Sequence, residues 1–247
     1  MRSNNRTLQE YGRTIAWVLL TCCITMTAAC SKKGSSNSQN HCKISSIADS
    51  ALGQSSAAYY ITYNDNGQVA AIQQGGGKML KTFTYTNNLV VVKTTASGAL
   101  QSTDSILLNS NGFMTSRVST DGTNRDVQTF SYSANGQIQS ITSQRNGNTP
   151  AITVYQFTNG DAAGSSDGSS YSYYTDKPYA AGDYFQVSQI LNYGAYYIKN
   201  AHLLKTFQSG ATNVNFTYTF DTGGKIVSLV SISAYLTQII DYGYNCN

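Results

Sequence analysis

Enzymatic chemistry needs acids, bases, nucleophiles or metal ligands that converge, and this sequence of 247 residues supplies few of them. Its only glutamate is Glu10, and its eleven aspartates are scattered. Hydrolysis of a glycoside requires two carboxyl groups at a fixed separation, one with a raised pKa. The pair best placed to meet is Asp176 and Asp183, in one irregular stretch, so an envelope polysaccharide hydrolase is the alternative function to carry. Asp65, Asp121 and Asp221 sit in turn sequences, where an aspartate ordinarily bonds the backbone. His41 and His202 have no partner at a metal-ligand spacing, and His202 reads as an edge-strand residue. No G-x-S-x-G elbow presents a serine, and "TNGDAAGSSDGSS" is too poor in carboxylates for a calcium loop. No cofactor and no metal are expected. The side chain in excess is tyrosine: Tyr171, Tyr173, Tyr174, Tyr179 and Tyr184 crowd one segment. Tyrosine offers contact area with a polar tip at low entropic cost. These five form a candidate surface for a glycan or a protein partner, with packing at the rim of a fold as the competing use.

The ends of the chain say where it works. Arg2, Arg6 and Arg13 precede the apolar run Ile15 to Leu20, and small residues follow up to Cys30, which is the layout of an export signal over residues 1–29. Thr27, Ala28, Ala29 and Cys30 resemble a bacterial lipobox, which implies acylation of the Cys30 thiol and a membrane partner through the lipid. Several acyl chains hold a protein durably where one chain binds only marginally. Ser31 after the cysteine points to the outer membrane, while the basic Lys32 and Lys33 do not choose between its periplasmic and external faces. "SKKGSSNSQN" reads as a tether, the linker as a whole covering residues 30–44. The exported part carries thirteen basic residues against eleven acidic ones, too even a balance for a nucleic-acid binder. Its two remaining cysteines, Cys42 and Cys246, would pair in an oxidising compartment, and a bond between them requires the first and last strands to meet.

The elements that must position any site are written as a repeat. Gly112, Gly136 and Gly160 stand 24 residues apart, in the sequences "LLNSNGFMTSRV", "SYSANGQIQSI" and "YQFTNGDAA". "TYNDNGQVAAI" and "TYTFDTGGKIVSLV" repeat the same design near the two ends. Asn-Gly tolerates positive φ and the flanks are rich in Thr, Val, Ile, Tyr and Phe, so the unit is a β-hairpin. A three-residue loop with a left-handed glycine predicts that Tyr63 faces Val69, Tyr132 faces Ile138 and Phe220 faces Ile226. Second turns at Gly75 to Gly77, Ser97-Gly98, Asp121-Gly122 and Asn146-Gly147 link one hairpin to the next without crossovers. Residues 161–201 break the rhythm and read as an insertion, with a short helix or turn over Tyr184 to Leu191.

The repeated Tyr-x-Tyr/Phe-x-x-x-Gly-x-Ile/Val motif, "LNYGAYYIKNAHLLKTF", "YTFDTGGKIVSL" and the terminal "YGYNC" resemble a family of Bacteroidota lipoproteins of unknown function with a porin-like fold. More distantly the hairpins are similar to the tyrosine-aspartate repeats of Rhs-type shells, although only Tyr63-Asn64-Asp65 and Phe220-Asp221 approach that pattern. The resemblance implies a β-meander at the outer membrane and no reaction. The expectation is therefore an all-β, up-and-down antiparallel meander over residues 45–247, strongly curved or closed into a barrel. Membrane-spanning strands need about 9 to 11 residues and an apolar outer band. The segments here are shorter and carry polar residues on their second face. The functional expectation is a lipid-anchored, non-enzymatic binding or structural module.

Overall fold

A computed structural model describes residues 42–51 and 57–246. The export segment, Cys30 and most of the tether lie outside the described residues. Sixteen strands follow one another: β1 (Lys43–Ala51), β2 (Ala57–Tyr63), β3 (Val69–Gln74), β4 (Met79–Thr86), β5 (Leu89–Ala96), β6 (Ala99–Leu108), β7 (Met114–Asp121) and β8 (Asn124–Tyr132) make the first half. The second half is β9 (Ile138–Arg145), β10 (Ala151–Thr158), β11 (Asp161–Ser165), β12 (Ser170–Pro178), β13 (His202–Ser209), β14 (Thr212–Phe220), β15 (Ile226–Ser233) and β16 (Thr237–Asn245). One helix, α1 (Tyr184–Tyr193), falls between β12 and β13. Every strand pairs antiparallel with its neighbours in sequence, and β1 pairs with β16, so the sheet is a closed barrel.

Closure follows from the first and last strands. β1 and β16 match Ile47 to Tyr242 and Asp49 to Ile240, and Ile44, Ile47, Ile240 and Tyr242 are all buried. Leaving that seam open would expose a hydrophobic row and a line of unpaired amides. Cys42 and Cys246 are disulfide-bonded across it, 204 residues apart in sequence.

The hairpins take the register that their turns dictate. Tyr63 faces Val69, Tyr132 faces Ile138 and Phe220 faces Ile226. At the middle turn the Ser133 N–H donates to the Gln137 carbonyl at 2.9 Å and Gly136, at φ +79°, donates to Ser133. The pairing shifts by one residue beside each of these turns, a bulge that bends and twists the strand. Side chains then alternate. Phe83 is buried and Tyr85 half-buried on β4 while Thr82, Thr84 and Thr86 are exposed; on β14 Phe216 and Tyr218 are buried while Asn213, Asn215, Thr217 and Thr219 are exposed. These rows put hydroxyls and amides where a membrane-spanning barrel presents hydrocarbon.

Two boundaries differ from the sequence expectation. β1 starts at Lys43, inside the range read as tether. The insertion is also shorter than residues 161–201, because the Gly/Ser-rich stretch forms β11 and β12 and only residues 179–201 leave the wall. Small residues suit that stretch of wall: a Cβ on Gly164 would lie 3.1 Å from the Ser169 carbonyl.

Because the strands simply alternate in direction, the barrel has two distinct ends. The Asn-Gly-type turns, the disulfide and the root of the insertion share one, the disulfide end. The turns at 97–98, 122–123, 146–150 and 210–211 share the other, here the open end.

Candidate functional site: a lumen plugged from one end

Residues 179–201 fold back into the barrel and close its disulfide-end half. Their contacts reach around the wall. Tyr184 lies against Phe216 of β14, with ring centroids 4.7 Å apart; Tyr197 meets Phe130 of β8 at 5.5 Å; and Gly194 packs on Phe83 of β4. The Tyr196 carbonyl accepts the Met114 N–H at 2.8 Å, a short parallel bridge to the start of β7. Val187, Ile190, Ala195 and Ile198 join the same buried core as the inward side chains of the strands.

Three polar residues fix this plug, and each does so by satisfying backbone groups that burial would otherwise strand. Asp183, fully buried, caps α1 by accepting from Phe185 N–H at 3.0 Å. Its other oxygen accepts from Leu204 N–H at 3.0 Å and from the Tyr218 hydroxyl at 3.2 Å, which ties the helix to β13 and β14. Burial raises its pKa, against the lowering influence of those donors. Gln189 binds the returning chain to the helix: its amide oxygen accepts from Tyr197 and Ile198 N–H at 2.7 and 3.0 Å, and its amide nitrogen donates to the Ile198 carbonyl at 3.1 Å. Asp161 holds the exit, accepting from Ala201 and His202 N–H at 2.8 and 2.9 Å and meeting His202 Nδ1 at 2.7 Å. Gly194 ends the helix at φ +63°, its N–H on the Ile190 carbonyl. A side chain here would be strained, since only glycine adopts this conformation at no steric cost.

The open-end half of the lumen is a cup whose floor is α1. One recess, about 350 Å³, lies between the helix and β1, β2, β4 and β16. Asp49, Tyr59, Lys81 and Gln238 project from the wall, and Tyr184, Ser188 and Asn192 from the floor. Lys81 Nζ donates to the Leu191 and Asn192 carbonyls at 2.7 and 3.2 Å, a cation on the C-terminal end of the helix dipole. Burial depresses its pKa, while Asp104 opposes that shift. Asp104 is itself held by Arg117 at 2.6 Å, and the Arg117 guanidinium stacks on the Tyr193 ring of the plug at 5.2 Å. On the other side Gln238 donates to both oxygens of Asp49 at 2.9 Å. A second recess, about 410 Å³, opens beside Arg117 among Asp126, Gln128, Ser143 and Arg145.

The five tyrosines of the candidate surface are all half-buried. Tyr171 stacks on Phe207 at 5.4 Å, Tyr173 packs against the buried core, Tyr179 begins the plug, both with phenol pKa values raised by burial, and Tyr184 forms part of the cup floor. Tyr174 donates to the Phe216 carbonyl at 2.8 Å, with Lys177 and Lys205 Nζ 4.3 and 5.7 Å from its ring centroid. The structure brings Tyr171 and Tyr184 together through Phe185 and does not gather all five on one exposed face. Asp176 and Asp183 share no accessible face either: Asp176 is exposed on β12 and Asp183 is fully buried. Among the described residues no three His, Cys, Asp or Glu side chains form a metal cluster. The residues that sequence reasoning missed are Asp49, Lys81, Arg117 and Gln238. Each lies on a different strand and is an unremarkable polar residue in its own segment. The one legible signal was inward parity, since Lys81 shares the face of Phe83 and Tyr85.

No family model matches the chain, and no curated protein matches it. Among solved structures it is similar to a porin-like protein from Bacteroides uniformis, with a TM-score of 0.61 and 17% identity over 82% of this chain and 96% of that one. A porin-like protein from Bacteroides vulgatus matches with a TM-score of 0.45 and 11% identity over 82% of this chain and 98% of that one. The first likeness establishes a porin-like β-barrel fold.

Proposed function

We propose, starting from a porin-like barrel half filled by its own chain, that this protein is a lipid-anchored component of the cell envelope that captures a glycan or protein partner at the open end. The observation that carries the reading is the division of the lumen. A conducting pore needs a continuous aqueous path, and residues 179–201 occupy that path in the disulfide-end half. An enzyme needs convergent acid and base groups, and three of the lumen's carboxylates are spent on structure, Asp183 on the helix cap, Asp161 on the plug exit and Asp104 on Arg117, while Asp49 faces the Gln238 amide with no second carboxylate in the lining of its recess. What is left is a recess with a rigid floor and polar side chains aimed into it, the usual form of a binding site.

The lipid anchor belongs to this reading. Cys42 begins the barrel at the disulfide end, the end opposite the mouth of the cup, and the acylation expected at Cys30 lies on the N-terminal side of it. The test has two parts. A palmitate analogue fed to cells should label the protein and fail to label Cys30→Ser. A photocrosslinking residue replacing Asn192, on the cup floor, should give a discrete adduct in intact cells, and one replacing Ser131, on the outer wall, should not. Equal yields from the two positions, or none from either, would end the binding reading.

A further inference from the structure

We infer that the recess between α1 and the β1–β16 seam is a saccharide site that takes a short, uncharged sugar segment, with Asp49, Gln238 and Lys81 bonding its hydroxyls and Tyr59 and Tyr184 covering its apolar face. The inference rests on the cup being the binding surface and adds the chemical class of what it holds.

Charge balance is the first argument. One carboxylate, Asp49, and one ammonium, Lys81, line the recess. Among the described residues Asp49 makes no ion pair: its partner is the Gln238 amide. Lys81 spends two of its N–H groups on the Leu191 and Asn192 carbonyls, which leaves one for a ligand. A cationic ligand would be drawn to Asp49 and repelled by Lys81, and an anion the reverse. A neutral ligand meets no opposing charge.

The second argument is the type of hydrogen bond on offer. Gln238 accepts from Ser231 at 3.3 Å and donates to Asp49, so the carboxylate is oriented while part of its acceptor capacity remains. Beside it stand Ser188 and Asn192, each able to donate and to accept. A recess that mixes a fixed acceptor, a fixed donor and groups of both kinds matches hydroxyls, which are donor and acceptor in one atom. Apolar surface from Tyr59, Tyr184 and Leu191 interrupts this polar set. A pyranose has that same mixture of hydroxyl edge and C–H face, and an aromatic ring supplies a flat apolar platform for the latter.

The recess is also built in advance. Lys81 and Gln238 are each fixed by protein hydrogen bonds, and the floor is a helix capped at both ends, so little ordering remains to be done on binding. Because α1 blocks the way through, the sugar enters and leaves by the open end only. A chain end or a short branch therefore fits, and a threaded polymer does not.

Calorimetric titration of the full chain, purified in a detergent without sugar groups, tests this with neutral trisaccharides (maltotriose, cellotriose, mannotriose and tri-N-acetylchitotriose). At least one should bind, with a loss of about tenfold in affinity in Asp49→Asn and in Tyr59→Ala, and no change in Thr217→Ala on the outer wall. Far-UV circular dichroism and the melting temperature of the two cup variants identify any loss due to misfolding; in that event Asn192→Ala, on the exposed floor, replaces them. The same titration is run with glucosamine oligomers and with sulfated oligosaccharides. Binding of either charged set with no neutral sugar bound, and sensitive to Asp49→Asn, overturns the neutral class and keeps the cup as the site. No cup-dependent binding by any of these probes overturns the saccharide assignment, and the crosslinking from position 192 then decides the cup as a site by itself.

Discussion

The two halves of the lumen are lined by the same strands and solve opposite problems. At the disulfide end the inward positions carry Tyr63, Tyr85, Tyr132, Tyr218, Tyr242 and Tyr244, and residues 179–201 fill the space between them. At the open end β1, β4, β7, β8, β9 and β16 carry Asp49, Lys81, Arg117, Gln128, Ser143 and Gln238, and none of the described residues fills the space above α1. A polar group stays unpacked in contact with water at small cost, whereas a cluster of tyrosine rings gains by covering its apolar faces; each half therefore keeps the filling that its side chains favour. The difference teaches that the plug is part of the core, and that whatever the protein binds must be met in the other half.

The comparison breaks first in alkali. Burial pushes the phenol pKa values of Tyr85 and Tyr244 up from 10.0 to about 12 and raises those of Tyr63, Tyr132 and Tyr218 still further. A raised folded-state pKa means that the stabilisation is complete below the unfolded value of 10.0 and disappears as pH climbs through the folded value. Phenolate absorbance from these buried rings should therefore appear in one cooperative step with collapse of the near-ultraviolet circular dichroism between pH 10 and about 12, after the exposed Tyr60 and Tyr235, and gradual titration of the buried rings in a still-folded protein would mean that the tyrosine half is not packed.

Covalent closure comes next. Replacing Cys42 and Cys246 by serine should lower stability by up to about 5 kcal/mol by the chain-entropy estimate, read from denaturant midpoints, with the slope reporting how far the unfolded chain expands.

Two plug substitutions should follow at about 3 kcal/mol each. Gly194→Ala puts a methyl where a Cβ would lie 2.3 Å from Phe83 Cε1, at a backbone φ of +63°, so steric and conformational costs add. Asp183→Ala strands the Leu204 and Phe185 N–H groups and the Tyr218 hydroxyl inside the barrel. Since burial raises the folded pKa of Asp183, its contribution is fully present below the unfolded aspartate value and shrinks as pH rises through the folded one. The stability gap between wild type and Asp183→Ala should thus widen on acidification; a gap that narrows would mean that the carboxylate form is the favoured one.

The smallest effects belong to the cup. Lys81→Met removes the cation from the end of α1 and should cost about 1 kcal/mol. Asn192→Ala, on the exposed floor, should stay within about 0.5 kcal/mol in thermal unfolding. A cup variant as damaging as Gly194→Ala would erase the contrast between the halves.

Much of the wall was legible in the residues. Asn135-Gly136 could be read as a turn because the left-handed φ of Gly136 is forbidden to most side chains, and the turn then forced Tyr132 opposite Ile138. Period-two alternation likewise gave the inward row of Phe216 and Tyr218. The insertion was seen as a departure from the repeat, and where a short helix or turn was expected over Tyr184 to Leu191 a helix stands over Tyr184–Tyr193. Residues 161–178 were read with the insertion because a strand of Ala, Gly and Ser such as β11 carries no hydrophobic signal of its own; β11 is a strand only because β10 pairs with it along its length.

The site divides in the same way. Tyrosine crowding drew attention to residues 171–184, but whether a ring meets solvent or another ring depends on where the segment folds, and composition holds no such information. Local chemistry by itself determined the hairpins, their register, the seam cysteines and the face that each side chain takes, since all of these are fixed by steric rules acting over a few residues. Only the tertiary structure decided that the sheet closes, that residues 179–201 turn inward, and that Asp49, Lys81 and Gln238 surround one recess. Those outcomes depend on contacts between segments far apart in the chain, whose free energy exists only once the barrel has formed.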